Sequence, residues 1–257
     1  MATDRTVVVV HGVPETDAIW RPLTSALAAR GIADVRAVSP PGFGIPVPRG
    51  FDPSMRSYAS WLLAELDAIA VDGGDIDLLG HDWGTGHVMG ALAERPDVVR
   101  TWTTDVAGIV HHDYVWHDMA QAWQTPGVGE QVVAGMTDAS VDERIALFAG
   151  LGIPDDMAPE LAAGLTPEMG RCILALYRSG AQPAMGELGE RVVAAADRPP
   201  GLVIDATEES YVNRQLSLDM ADRLGAEILT LDGRTHWWMV TDVDPVADAL
   251  VDFWSRH

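Results

Sequence analysis

"DIDLLGHDWGTGHVMG", Asp75 to Gly90, is the stretch on which the fold turns. Its first half is a short apolar run of the kind that forms a fully buried strand, and its second half continues at helical spacing. Between them, Gly80 and Gly84 stand two before and two after Asp82. A small-x-acid-x-small turn of this type forces its central residue into a strained backbone conformation, and the flanking glycines leave room for it. The central side chain then projects above the end of the strand, with the N–H of Trp83 facing the same space. The plainer reading is a Gly-rich strand-to-helix turn in which Asp82 caps the helix. The rest of the chain decides between the two.

Working outward, Thr6–Val10 is a β-branched run ending at His11-Gly12, and Ala33–Pro40 is a second strand stopped by Pro40-Pro41. Tyr58, Trp61, Leu62, Leu66 and Ile69 recur at helical spacing, and the helix after the turn ends before Pro96. Val98–Gly108 reads as a fourth strand. Strands alternating with helices predict a parallel sheet covered on both faces. Ligands bind such sheets at the carboxyl ends of the strands, which singles out His11 to Pro14, Asp82 and Asp105. From Ile109 to Arg198 the rhythm changes to helical segments rich in Met, Trp, Gly and Pro, with no convincing strand. It resumes at Gly201–Ala206 and Ala226–Gly233, and a last amphipathic helix carries Val246, Leu250, Phe253 and Trp254. The expected organisation is an α/β core of residues 1–108 and 199–257, interrupted by a helical cap of residues 109–198.

Composition narrows the function classes. Acidic residues outnumber basic ones 38 to 17, a formal net charge of −21. Such a field repels nucleic acid and anionic membranes. Every basic residue is arginine, so Schiff-base and P-loop lysine chemistry are excluded. Cys172 is the only cysteine, which rules out an intrachain disulfide and a cysteine metal cluster. The segment "MATDRTVVVV" has no basic region followed by a long apolar run, and no run nears the roughly 18 residues of a membrane span. A soluble, cytoplasmic protein is expected, with a homodimer left open.

Three further motifs arrive in a set chain order around "GHDWG". "HGVPETDAIWR" (His11–Arg21) follows the first strand, "PPGFG" (Pro40–Gly44) the second, and "LDGRTHWWM" (Leu231–Met239) the last. Together they resemble the α/β-hydrolase superfamily, specifically its aspartate-nucleophile branch of epoxide hydrolases and haloalkane or fluoroacetate dehalogenases. The resemblance covers nearly the whole chain and implies an α/β-hydrolase fold with an inserted helical cap. It implies Asp82 as nucleophile, His236 as the base that activates water, and the backbone N–H groups of Val13 and Trp83 as an oxyanion hole, with Pro14 shaping the first loop. Thr235 stands where a glycine usually precedes the histidine.

The aspartate is itself a chemical statement. Attack on an ester would give a mixed anhydride, whereas attack on sp³ carbon gives an ester that water can cleave. Such two-step hydrolysis requires no metal and no organic cofactor. Two acids compete to orient His236: Asp105, at the end of an apolar strand, and Glu209, in "DATEESYV". Asp105 is the favoured one, because a carboxylate there is costly without a partner.

The leaving group separates the branches. Epoxide hydrolases assist the ring oxygen with cap tyrosines, and "ILALYRSG" places Tyr177 in a context resembling one of them. Where the second is expected stands Ala122, next to Trp123, and Tyr114 is the candidate substitute. Halide release needs weak N–H donors, for which Trp83 and Trp123 are candidates. Against it, Val13 replaces the asparagine of many haloalkane dehalogenases, and no arginine follows Asp82 as in fluoroacetate dehalogenases. The favoured expectation is an epoxide hydrolase acting on a small apolar or aromatic substrate. The alternatives are a haloalkane dehalogenase-like hydrolase and a ligand-binding protein without turnover. "HHDYVWHD" (His111–Asp118) reads as a polar hinge or pocket rim rather than a metal site, and His87 as a packed residue. Trp61, Trp102 and Trp254 read as core, and Trp237 as pocket lining or core.

Overall fold

The computed structural model describes residues 5–71 and 75–257. Residues 1–4, part of the segment read for a targeting signal, lie outside the described residues. Six strands, β1 (Arg5–Val10), β2 (Val35–Val38), β3 (Asp75–Gly80), β4 (Thr101–Thr104), β5 (Gly201–Ala206) and β6 (Glu227–Leu231), form one sheet. Their order is β2-β1-β3-β4-β5-β6, and every pairing is parallel. In register, Val10 faces Gly80, Gly80 faces Thr104, and Thr104 faces Val203. The ends of the central strands are therefore level, and the loops leaving them meet in one place.

The core helices α1 (Arg21–Ala29), α2 (Met55–Ala70), α3 (Trp83–Glu94), α10 (Arg214–Leu224) and α11 (Asp244–Arg256) cover the sheet. Valines 7 to 10, Leu78 and Leu79 are buried under them, which is why these strands read as unbroken apolar runs. α2 places Tyr58, Leu62, Leu66 and Ile69 in the core, and α11 buries Val246, Leu250, Phe253 and Trp254. Trp102 is buried as expected, whereas Trp61 is only partly buried against the core. Between β4 and β5 lie six helices and no strand: α4 (Asp118–Gln124), α5 (Val128–Thr137), α6 (Val141–Gly150), α7 (Ala158–Gly164), α8 (Pro167–Ser179) and α9 (Ala184–Ala194). This helical insert packs over the carboxyl ends of the strands.

The fourth strand is shorter than its sequence suggests. Val98–Gly108 was expected, but only Thr101–Thr104 pairs in the sheet, with 3-10 turns at Pro96–Val98 and Ala107–Val110. Val106, with φ 21°, turns the chain away from the sheet. The apolar run continues because Ala107 to Val110 are buried between α10 and α9, so its hydrophobicity reports burial and not strand. Among the described residues, no helix is long and apolar enough to cross a membrane.

Candidate active site

The site is built from the loops that follow β1, β3, β4, β5 and β6. At its centre the chain leaves β3 through Asp82, whose φ of 50° and ψ of −119° are a strained combination for a residue with a side chain. Two glycines make the turn possible. A Cβ on Gly84 would lie 2.2 Å from the carbonyl oxygen of Val10, and one on Gly80 would lie 2.6 Å from that of Gly84. Asp82 is therefore the projecting apex of the turn, and its side chain does not cap α3. The Val13 N–H donates to Asp82 Oδ2 at 2.9 Å. The Trp83 N–H, the other expected oxyanion donor, makes no hydrogen bond to this carboxylate among the described contacts. Burial pushes the Asp82 carboxyl up to about 6, with His236 and His81 pulling against the shift.

Two imidazoles lie beside the nucleophile, each joined to a different acid. His236 Nδ1 meets Glu209 Oε2 at 2.6 Å. The other oxygen of Glu209 accepts from the Tyr211 and Val212 N–H groups, which fixes its rotamer. Burial works to lower the His236 pKa, but the Glu209 charge and hydrogen bond outweigh it and raise it. Asp105, favoured from sequence as the partner of His236, is committed elsewhere. It bonds His81 Nδ1, takes the Trp238 indole N–H at 2.8 Å, and accepts from the Asp82 backbone N–H at 3.0 Å. The expectation is corrected accordingly: β4 ends one residue before Asp105 and aims it at His81 in the turn, and its contact with the loop after β6 is to Trp238, not to His236.

His81 is shared. Its Nε2 lies 3.3 Å from Glu15 Oε1, which also accepts the Trp237 indole N–H at 2.5 Å, while Glu15 Oε2 takes the Gly12 N–H at 3.2 Å. Glu15 and His81 are fully buried. Burial opposes the charge on both groups, but the two carboxylates hold His81 well above its ordinary pKa. Against the same penalty, His81 foremost lowers Glu15 to about 2. The result is an imidazolium held between two carboxylates, which is how charge is accommodated in an interior.

Above Asp82 lies a cavity of about 170 Å³ between core and insert. Asp82, His236, Val13, Pro14 and Trp237 line its floor, with Trp123, Tyr177, His117 and Tyr211 around it. Met119, Met136, Leu147 and Leu151 complete it, so away from the catalytic groups the walls are apolar. Of the residues expected at the site, Asp82, His236, Glu209, Tyr177, Val13, Pro14, Trp123 and Trp237 gather here. Tyr114 does not line the cavity: its hydroxyl donates to the Tyr211 carbonyl at 3.2 Å and its ring packs on Trp116. The Trp83 ring likewise packs against Trp116 and Tyr177 and is not part of the lining.

Sequence reasoning missed Glu15, His81, His117 and Tyr211. His117 stands inside the "HHDYVWHD" stretch taken as a polar hinge or rim. Its neighbour His111 fits that reading, pairing with Asp219 at 3.1 Å. His117 instead faces the cavity. Its Nδ1 accepts the Ala120 N–H at 3.3 Å, so the neutral ring carries its proton on Nε2. Burial, and the nearby His236, lower its pKa and keep it neutral. The Trp123 ring stands edge-on to both His117 and Tyr177. The available signal was the spacing of His117 at the N-terminus of α4, where a side chain acting as cap is held in one orientation.

A family model described as the alpha/beta hydrolase family matches residues 7–249, and the chain belongs to that family. Its relatives include haloalkane dehalogenases and epoxide hydrolases. It is 30% identical over 148 residues to a haloalkane dehalogenase of Mesorhizobium japonicum, covering 51% of this chain and 44% of that protein. Over 96 residues it is 32% identical to an epoxide hydrolase of Caballeronia sordidicola, covering 35% of this chain and 27% of that protein. These matches span less than half the length of either relative. The fold superimposes on the crystal structure of haloalkane dehalogenase DbeA from Bradyrhizobium elkani with a TM-score of 0.74 at 20% identity, covering 100% of this chain and 93% of the other. The named relatives thus weigh more toward the dehalogenase alternative than toward the epoxide hydrolase favoured from sequence.

Proposed function

We propose that the protein hydrolyses small, neutral, apolar epoxides to vicinal diols through an ester on Asp82. The observation that carries this reading is an apolar cavity bounded by a half-buried carboxylate, a His–Glu pair and two neutral proton donors, Tyr177 and His117. In the first step an Asp82 oxygen attacks an epoxide carbon, the C–O bond breaks, and the Tyr177 hydroxyl and the His117 Nε2–H receive the alkoxide. Burial foremost, with the Asp82 charge adding to it, holds the Tyr177 pKa well above its usual 10. It therefore stays protonated and carries the proton that the alkoxide requires.

In the second step His236, oriented by Glu209, removes a proton from water, and the hydroxide attacks the Asp82 carbonyl carbon. The Val13 N–H already bonds Oδ2, where the tetrahedral intermediate gathers charge; the Trp83 N–H, which does not bond the resting carboxylate, is assigned as the second donor to the intermediate. The acyl–oxygen bond then breaks, the departing oxygen takes the proton of the hydroxyl just added so that the diol leaves and Asp82 is again a carboxylate, and the proton held by His236 returns to the donor groups. The substrate class follows from the walls: about 170 Å³ is the scale that holds a single aromatic ring, and among the described residues no arginine lines the cavity to receive an anion.

Carbon–halogen cleavage is the second reading, favoured by the dehalogenase relatives and by the buried Trp123 indole N–H, which has no partner among the described residues. A single experiment separates the two. His236→Gln, incubated with panels of epoxides and haloalkanes, should accumulate an Asp82 ester with the epoxides, read as an intact-mass increase. Accumulation with haloalkanes alone would reverse the order of the readings.

A further inference from the structure

One grouping at the floor of the site joins the water-activating His236 to two residues that the proposed turnover does not use. Glu15, His81 and His236 each offer one ligand atom, all within 4.8 Å of one another, and all three residues are buried. Each imidazole already has a carboxylate on Nδ1, Asp105 on His81 and Glu209 on His236. That leaves His81 Nε2 turned to Glu15 and His236 Nε2 without a hydrogen bond among the described residues, so that a shared ligand would replace only the His81–Glu15 contact. The 3.3 Å between His81 Nε2 and Glu15 Oε1 is about the edge of a tetrahedron with metal–ligand bonds near 2.0–2.1 Å. Outer carboxylates that fix the ring orientation and raise the basicity of a ligating histidine are the usual second layer of a metal site.

We propose that Glu15, His81 and His236 form a binding site for a borderline transition-metal dication such as Zn²⁺. Two imidazoles and one carboxylate suit such ions, whereas Mg²⁺ prefers an all-oxygen shell with retained water. The ion takes the place of the proton between His81 and Glu15 and occupies the His236 nitrogen that would activate water. Resting catalysis is metal-free, and the bound ion stops ester hydrolysis. That last consequence rests on the proposed function; the binding site does not.

The test is to titrate chelator-treated protein with Zn²⁺ by calorimetry and with Co²⁺ by its visible absorption. One equivalent should bind with a four- or five-coordinate Co²⁺ spectrum, and Mg²⁺ should not compete. Glu15→Gln and His236→Gln should each weaken binding at least about 10-fold, while His111→Gln, in the His111–His112–Asp113 surface cluster, should leave it unchanged. Zn²⁺ should raise the Tm of the wild type but not of His236→Gln, which separates ligand loss from misfolding. Absence of binding at millimolar ion, or affinity unaltered in both site variants, would overturn the proposal. With an epoxide, the Zn²⁺-loaded wild type should accumulate the Asp82 ester. Metal bound at these three residues with no ester from any epoxide or haloalkane would uphold the site and overturn the hydrolytic reading instead.

Discussion

Asp105 and Glu209 sit about a strand apart at the same end of the sheet, and each holds a different imidazole. Their substitution should therefore give opposite phenotypes. Glu209→Gln removes the charge that supports His236 and is expected to slow ester hydrolysis by roughly 10³–10⁴-fold while the ester accumulates. Asp105→Asn leaves the His81 cation with one carboxylate fewer and is expected to cost about 3–5 kcal/mol of stability with the His236–Glu209 pair intact. Rapid-quench mass spectrometry and denaturant melts of both variants check this. Ester accumulation in Asp105→Asn but not in Glu209→Gln would return the role to Asp105. The pH dependence follows from the same groups. Ester formation needs ionised Asp82, so its rate in single turnover should rise with pH through about 6, in the presence of chelator. Hydrolysis needs neutral His236, whose raised pKa in the free enzyme owes part of its shift to the Asp82 charge. Esterification removes that charge, so the acid limb of hydrolysis should lie below the His236 pKa measured in the free enzyme by NMR.

At the scale of elements, the turn joining β3 to α3 was the most legible feature of the chain. Its function depends on spacing alone, glycine to acid to glycine. Gly84→Ala would drive a Cβ to within 2.2 Å of the Val10 carbonyl, a backbone atom of the neighbouring strand that cannot swing aside. A loss of about 1–3 kcal/mol is expected, read from the urea midpoint, with ester formation slowed as Asp82 moves. The strands were legible for a related reason, since buried parallel strands need unbroken apolar runs. The end of β4 was not, because Val106 to Val110 stay buried after leaving the sheet. Nor could Asp105 and Glu209 be told apart: both follow strands, and only the direction each loop takes decides which imidazole it meets. His117 and Glu15 were hidden for a third reason. His117 faces the cavity and Glu15 is buried against His81 and Trp237, and neither setting has a periodic signature, since each depends on contacts between segments remote in the chain.

At the scale of the whole molecule, the site is a concentration of charge that the fold must tolerate. Four carboxylates, Asp82, Glu15, Asp105 and Glu209, converge at the strand ends of a chain already carrying −21. Three of them are bonded to an imidazole; among the described residues Asp82 is held by a backbone N–H alone, and it faces the cavity. Its carboxyl is displaced upward from 3.8 to about 6, so the folded state binds a proton more readily than the unfolded chain. Stability therefore falls as pH rises between those two values, and above about 6 the ionised nucleophile costs at most about 3 kcal/mol, less where cavity water reaches it. Asp82→Asn keeps an oxygen for the Val13 N–H and removes the charge. The inactive variant should melt several degrees above the wild type at pH 8, with the difference shrinking to nothing near pH 4. Calorimetric scans at the two pH values check this, and equal melting temperatures at pH 8 would mean that the fold carries its nucleophile without strain.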